Sequence, residues 1–212
     1  MNLNKYIDHT FLKANGRQKD IDKLIEEGIK YDFKSLCINP SWVEYVSEKL
    51  KDSDVLVCTV IGFPLGAMTT ESKIFETSDA ISKGADEIDM VINVGRLKDR
   101  DLDYVTKEIK AVKNACQDRV LKVIIETSLL DEEEIRLAAQ AVVDAGADFV
   151  KTSTGFSTRG ASVEDVKIIK EVVGDKAKIK ASGGIRSHED MMKMIEAGAD
   201  RIGASAGATL LG

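Results

Sequence analysis

The sequence predicts an α/β fold of the (β/α)8 TIM-barrel class, in a single domain spanning 1–212, and three observations carry that prediction. Short β-branched runs recur along the whole length, stretches of helical period alternate with them, and the phrase Gly-Ala-Asp recurs where a helix gives way to the next run. Strands of a parallel sheet covered on both faces read as near-continuous apolar runs, whereas the covering helices repeat at 3.6 residues. Regular alternation of the two is the pattern of βαβ units around a parallel sheet.

Taken in order, the first candidate strand is Tyr6-Ile-Asp-His-Thr10, the weakest of eight, followed by a helix from Lys19 to Lys30. The remaining strands are Ser35 to Asn39, Val55 to Ile61, Glu87 to Ile92, Val120 to Ile125, Asp148 to Thr152, Ala177 to Ala181 and Arg201 to Ala204. Helical stretches run from Thr69 to Lys83, Asp101 to Ala115, Asp131 to Ala145, Ser162 to Val173 and Ser187 to Ala197. Three helices end in Lys83-Gly-Ala-Asp86, Ala145-Gly-Ala-Asp148 and Ala197-Gly-Ala-Asp200, where glycine supplies a left-handed C-cap. The intervals are unequal, so the phrase is βα punctuation rather than a solenoid repeat. An open doubly wound sheet is the alternative, but no Gly-x-Gly-x-x-Gly follows the first strand, and polar residues gather at the C-terminal strand ends where barrels build their sites. Pro40 and Pro64 both fall just after strands, and no Pro/Ser-rich linker marks a domain boundary.

A chain of 212 residues fits one barrel of about 200 to 250. With 43% hydrophobic and 31% charged residues it has the composition of a soluble protein with a large core. A net charge of −6 and a pI near 5.1 argue against a broad basic face for nucleic acid or anionic lipid. No apolar run approaches the roughly 18 residues of a membrane span, and Met1 to Asp8 lacks the form of a secretory signal, so a cytoplasmic location is expected. Cys37, Cys58 and Cys116 are widely spaced, which predicts reduced, partly buried thiols. With only His9 and His188 and no Cys/His cluster, no zinc site is expected.

Chemistry gathers on a few polar residues in apolar strands. Lys151 follows Phe149 and Val150 and is succeeded by Thr152-Ser-Thr-Gly155. Taken alone it reads equally well as a rim lysine paired with a carboxylate or as an amine nucleophile. Lys180 occupies a comparable place in Ile179-Lys-Ala-Ser-Gly-Gly-Ile185, so two adjacent strands aim ammonium groups into one mouth. Desolvation and like-charge repulsion are then expected to lower the pKa of one of the pair, giving the free amine that attacks a carbonyl. Asp89, inside Glu87-Ile-Asp-Met-Val-Ile-Asn93, is either a structural ion-pair partner or a proton shuttle coupled to Lys180, and the alternation of its neighbours leaves its direction open. Ser182-Gly-Gly-Ile-Arg186 and Gly203-Ala-Ser205 stand where barrels bind phosphate through backbone amides, which implies a phosphorylated substrate.

Together these residues resemble the deoxyribose-phosphate aldolase family, from Tyr6-Ile-Asp-His-Thr10 to Gly203-Ala-Ser205. The most specific stretches are Thr59-Val-Ile-Gly-Phe-Pro-Leu-Gly66, Glu87 to Asn93, Lys122-Val-Ile-Ile-Glu-Thr127, Phe149-Val-Lys-Thr-Ser-Thr-Gly-Phe156 and Lys180 to Arg186. The resemblance implies a class I aldolase cleaving 2-deoxy-D-ribose 5-phosphate to acetaldehyde and D-glyceraldehyde 3-phosphate without metal or organic cofactor. It implies that Lys151 forms the Schiff base, that Asp89 and Lys180 transfer protons, and that Gly155, Gly183, Gly184 and Ser205 line the phosphate pocket. Asp8, Thr10 and Cys37 resemble family positions near the substrate; no histidine is placed to activate Cys37 as a nucleophile. Some relatives carry a further serine where Ala206 stands here, and a C-terminal tyrosine beyond the Gly212 at which this sequence stops. Phosphate binding is expected to survive Ala206, since backbone amides do not depend on the side chain.

The partner this implies is a small phosphorylated aldehyde, with no nucleic acid and no membrane. Small barrels of this type often pair, so a homo-oligomer, dimer or tetramer, is an allowed assembly. Two other readings compete: a lysine-dependent barrel aldolase or transaldolase for a larger sugar phosphate, and a barrel that only binds a phosphorylated regulator.

Overall fold

Eight parallel strands pair in chain order and the eighth returns to the first, closing the barrel that the alternation of runs predicts. The structure is a computed structural model describing residues 2–212, so Met1 of the expected 1–212 span lies outside the described residues. The order is β1 (Ile7–Phe11), α1 (Gln18–Tyr31), β2 (Ser35–Ile38), α2 (Val43–Leu50), β3 (Leu56–Ile61), α3 (Thr70–Ser82), β4 (Glu87–Val91), α4 (Val94–Lys98) and α5 (Leu102–Cys116). It continues with β5 (Val120–Ile124), α6 (Glu132–Asp144), β6 (Phe149–Lys151), α7 (Val163–Val173), β7 (Lys178–Ser182), α8 (His188–Glu196), β8 (Arg201–Ala204) and α9 (Gly207–Leu210). The sequence reading passed over α2, whose buried face is only Val43, Val46 and Leu50, and the still shorter α4 and α9. Two turns carry too few apolar positions for a period to stand out.

Helix starts follow from local chemistry. Thr69, Asp101, Asp131, Ser162 and Ser187 each stand at the N-cap, where the side chain accepts a hydrogen bond from the backbone amide three residues on. Each such cap satisfies an otherwise orphaned donor and is worth about 1 kcal/mol. Helix ends explain the Gly-Ala-Asp phrase. Gly84, Gly146 and Gly198 take positive φ of 101°, 74° and 117°, as a left-handed cap requires. The aspartates then reach sideways: Asp86, Asp148 and Asp200 accept from the amides of Val57, Leu121 and Ile179 at 2.8, 2.8 and 2.9 Å. Each phrase therefore clips an even-numbered strand to the strand before it, at the N-terminal end of the barrel.

Side chains alternate across the sheet. Outward residues such as Ile7, Leu36, Ile88, Leu121, Val150, Ile179 and Ile202 join the helices in one continuous apolar layer. Barrel interiors are commonly filled by branched apolar side chains. Here, among the described residues, only Leu12, Cys37, Cys58 and Val60 form an apolar cluster separate from that layer. Charged side chains occupy the axis, and their contacts across the barrel, between strands that are not neighbours, settle the open question of Asp89: it points inward, to Lys180 of β7.

The layer between helices and sheet carries much of the stability. Leu36 is fully buried and packs on Gly28 of α1, where an added β-carbon would stand 2.6 Å from a Leu36 methyl. We predict that Leu36→Ala lowers the free energy of unfolding by about 2–5 kcal/mol, measured by guanidinium denaturation; a loss below 1 kcal/mol would show that α1 collapses into the gap.

Candidate active site

Starting from the barrel floor, Arg201 at the head of β8 donates to Asp8 Oδ1 at 2.7 Å and to Glu87 Oε2 at 3.1 Å, with its guanidinium 5.4 Å from the Phe149 ring centroid. One layer up, Lys122 of β5 lies 2.5 Å from Glu87 Oε2, 3.0 Å from Asp89 Oδ1 and 3.5 Å from Cys58 Sγ. Lys180 lies 2.5 Å from Asp8 Oδ2 and 2.8 Å from Asp89 Oδ2. Lys151 donates to that same Asp89 oxygen at 2.7 Å. Buried charges persist only when paired, and here four basic and three acidic side chains share one interior. The set is electrically balanced when one of its amines is uncharged.

The directions of titration follow from this packing. Burial alone would raise Asp89, but Lys122, Lys151 and Lys180 outweigh it and hold its carboxyl well below the usual range. Burial likewise opposes ionisation of Asp8, and Lys180, Arg201 and Lys122 overcome it. Lys180 and Lys122 are pushed up: desolvation works against their charge, and Asp8 and Asp89 around Lys180, and Asp89 and Glu87 around Lys122, override it. This corrects the expectation of two bare cations in repulsion. A carboxylate stands between Lys151 and Lys180, and Lys180 is held as the ammonium.

Above Lys151 opens a cavity of about 390 Å³ lined by Thr10, Lys151, Gly155, Gly183, Gly184 and Ser205. It also receives Arg186, the last residue of the Ser182–Arg186 stretch, and Lys13, which the sequence did not single out; neither forms an ion pair among the described residues. Of the three cluster lysines only Lys151 reaches this space; Lys122 and Lys180 are sealed beneath it. Gly203 is required by close approach, since a β-carbon there would lie 3.0 Å from Lys180 Cε. Gly183 is required twice over, by φ of 81° and by a β-carbon position 2.9 Å from Gly160 Cα.

The structure brings together Lys151, Asp89 and Lys180, and Gly155, Gly183, Gly184, Ser205 and Thr10 line the same cavity. Asp8 and Cys37 lie below, fully buried and away from the cavity lining. All three cysteines are free and buried rather than partly buried. The Cys37 thiol is lowered by a hydrogen bond with Cys58 and by the nearby Lys180, against burial; burial pushes Cys58 up. Cys37, Cys58 and Asp89 offer donor atoms within 4.8 Å of one another, but Lys122 already bonds two of the three, which leaves a metal cation facing an ammonium. Lys122, Glu87 and Arg201 were missed at the sequence level. Lys122 showed the signal used for Lys151, a lysine inside an apolar strand.

Residues 3–211 match the family described as DeoC/LacD family aldolase. The chain is 62% identical over 207 residues to a Finegoldia magna protein named deoxyribose-phosphate aldolase, covering 98% of this chain and 97% of that one. It is 59% identical over 211 residues to a Staphylococcus carnosus protein of the same name, covering 100% and 96%. Among solved structures, the tetrameric deoxyribose phosphate aldolase of Aeropyrum pernix superposes with a TM-score of 0.90 at 33% identity, covering 99% of this chain and 89% of that one. Among the described residues, no helix is long and apolar enough to cross a membrane.

The buried network sets how stability responds to pH. Asp8 and Asp89 titrate below their unfolded value near 3.8, so their contribution is complete above that pH and is lost as pH falls beneath it. Lys122 and Lys180 titrate above 10.5, so theirs is complete below 10.5 and is lost as pH rises past it. Lys122→Met removes the cation shared by Glu87 and Asp89 and is expected to cost about 3–5 kcal/mol at pH 7. It should also shift the acid limb of the unfolding curve to higher pH; coincident curves would refute the assignment.

Proposed function

The chain belongs to the DeoC/LacD family of aldolases, and from that premise we propose that it is a class I aldolase reversibly cleaving 2-deoxy-D-ribose 5-phosphate to acetaldehyde and D-glyceraldehyde 3-phosphate. One observation carries the reading. Of the three lysines in the barrel's charge cluster, Lys151 alone meets the cavity, with the Asp89 carboxylate 2.7 Å from its amine. The names of the relatives in Finegoldia magna and Staphylococcus carnosus support the substrate.

The free amine of Lys151 attacks C1 of the open-chain aldehyde, and loss of water from the carbinolamine leaves an iminium. A base takes the proton of the C3 hydroxyl, the C2–C3 bond breaks, and its electron pair flows into the iminium. Glyceraldehyde 3-phosphate departs and an enamine of two carbons stays on Lys151. Protonation at C2 and hydrolysis release acetaldehyde and restore the amine. Asp89 touches both Lys151 and Lys180 through one oxygen, which suits it to pass protons between the carbinolamine and the Lys180 ammonium. The iminium is itself the electron sink, so the reading calls for neither a metal nor an organic cofactor. Gly155, Gly183, Gly184 and Ser205, with Lys13 and Arg186 beside them, face the 5-phosphate. We place the reaction in the cytoplasm, on a small phosphorylated aldehyde.

Borohydride reduction in the presence of acetaldehyde is predicted to leave one N-ethyl group on the peptide containing Lys151, read by mass spectrometry, with EDTA without effect. Lys151→Ala should abolish the adduct, and Asp89→Asn should slow turnover by about 100-fold or more. An adduct on another lysine, or full activity in Lys151→Ala, would overturn the reading.

A further inference from the structure

Glu126 stands just beyond β5 in the left-handed region, at φ 54° and ψ 67°, where a side chain with a β-carbon is crowded and where functional sites store strain. It is buried to 4% exposure, yet the chemistry above makes no use of it. Its backbone is clamped on the next residue: the Thr127 amide donates to the Thr152 carbonyl at 2.9 Å, and Arg159 Nη2 donates to the Thr127 carbonyl at 3.2 Å. The turn sends the carboxylate across to the loop leaving β6. There Oε2 accepts from the Thr154 amide at 3.2 Å and from the Thr154 hydroxyl. The same hydroxyl accepts from the Phe156 amide at 3.0 Å. One carboxylate oxygen thus fixes both flanks of Gly155, which sits at φ 83° in the cavity wall with Gly183 and Gly184.

We propose that Glu126 is the positioning residue of the phosphate cradle, holding the Gly155 loop in its anion-binding shape through Thr154. The inference rests on the aldolase reading only for the identity of the phosphorylated substrate; the ligand class it concerns is a phosphate monoester or inorganic phosphate. Backbone amides cradle an anion well when they converge before it arrives, and a glycine loses more freedom on ordering than any other residue. Pinning both neighbours of Gly155 moves that cost from binding to folding. Glu126 lines an adjacent cavity of about 150 Å³ with Leu65, Val94 and Leu129 and does not line the main one, so its negative charge acts through Thr154 without meeting the phosphate.

The test is calorimetric titration of inorganic phosphate into wild type, Glu126→Gly and Glu126→Gln, with melting curves to verify folding. Glycine keeps the left-handed turn and deletes the carboxylate; glutamine keeps a carbonyl oxygen that accepts from Thr154. Phosphate affinity should fall about tenfold in Glu126→Gly, the scale of one lost hydrogen bond, and stay within about threefold of wild type in Glu126→Gln. In Glu126→Gly the KM for deoxyribose 5-phosphate should rise by a larger factor than kcat falls. Should Glu126→Gly not fold, Thr154→Val, which removes the relaying hydroxyl, is expected to show the same loss of phosphate affinity. Equal affinity in wild type and the folded variant, equal loss in Glu126→Gly and Glu126→Gln, or no phosphate binding by wild type would overturn the inference. A missing Lys151 adduct would instead strike the aldolase reading, because the titration reports on Glu126 whichever aldehyde is cleaved.

Discussion

Asp89 bonds Lys122 through one oxygen and both Lys151 and Lys180 through the other, and the rest of the barrel interior is arranged around keeping that carboxylate ionised. A lone carboxylate in an apolar barrel would be protonated, and three lone ammonium groups would not remain buried together. Glu87 and Asp8 supply the charge that Asp89 cannot give alone, and Arg201 closes the floor beneath them. Removing any member leaves an uncompensated charge in a dry interior, so the network makes chemistry and stability properties of the same side chains.

The apolar layer is correspondingly displaced to the outside of the sheet. Many barrels use both faces of their strands for apolar packing, whereas this one gives much of the inner face to charged groups, beside the small cluster of Leu12, Cys37, Cys58 and Val60, and draws most of its apolar packing from the contact between strands and helices. That division leaves the Lys151 amine at the mouth of the cavity, on a strand set among the helices' apolar contacts. Lys151 sits on a strand hydrogen-bonded on both sides, so its backbone is fixed by both neighbours.

The fold was legible in the sequence because the periods are strong and the punctuation repeats: Thr69, Asp101, Asp131, Ser162 and Ser187 cap the starts of five of the helices, and the Gly-Ala-Asp phrases mark helix ends. The three residues of the proposed reaction were legible because each is a charge inside an apolar run. The pairings of Arg201 were not, because their meaning lies across the barrel: Arg201 meets Glu87 at a separation of 114 residues and Asp8 at 193. No spacing rule connects such positions. Glu126 was hidden for another reason. Its conformation is set by tertiary contacts, and a glutamate after a strand carries no local sign that its backbone is left-handed. Asp8 and Cys37, which resemble family positions near the substrate, are fully buried and do not line the cavity.

The aspartate clips at the N-terminal end tie β3 to β4, β5 to β6 and β7 to β8, whereas all the groups of the proposed reaction lie in the axis or at the opposite rim. The barrel is thereby fastened two strands at a time from below. New chain ends introduced between fastened pairs keep each clipped pair on one continuous stretch of chain, whereas a break within a pair leaves its two strands joined only by the clip and the ladder. The molecule has natural seams for circular permutation and for recombination with related barrels, and those seams spare the face that carries the cavity.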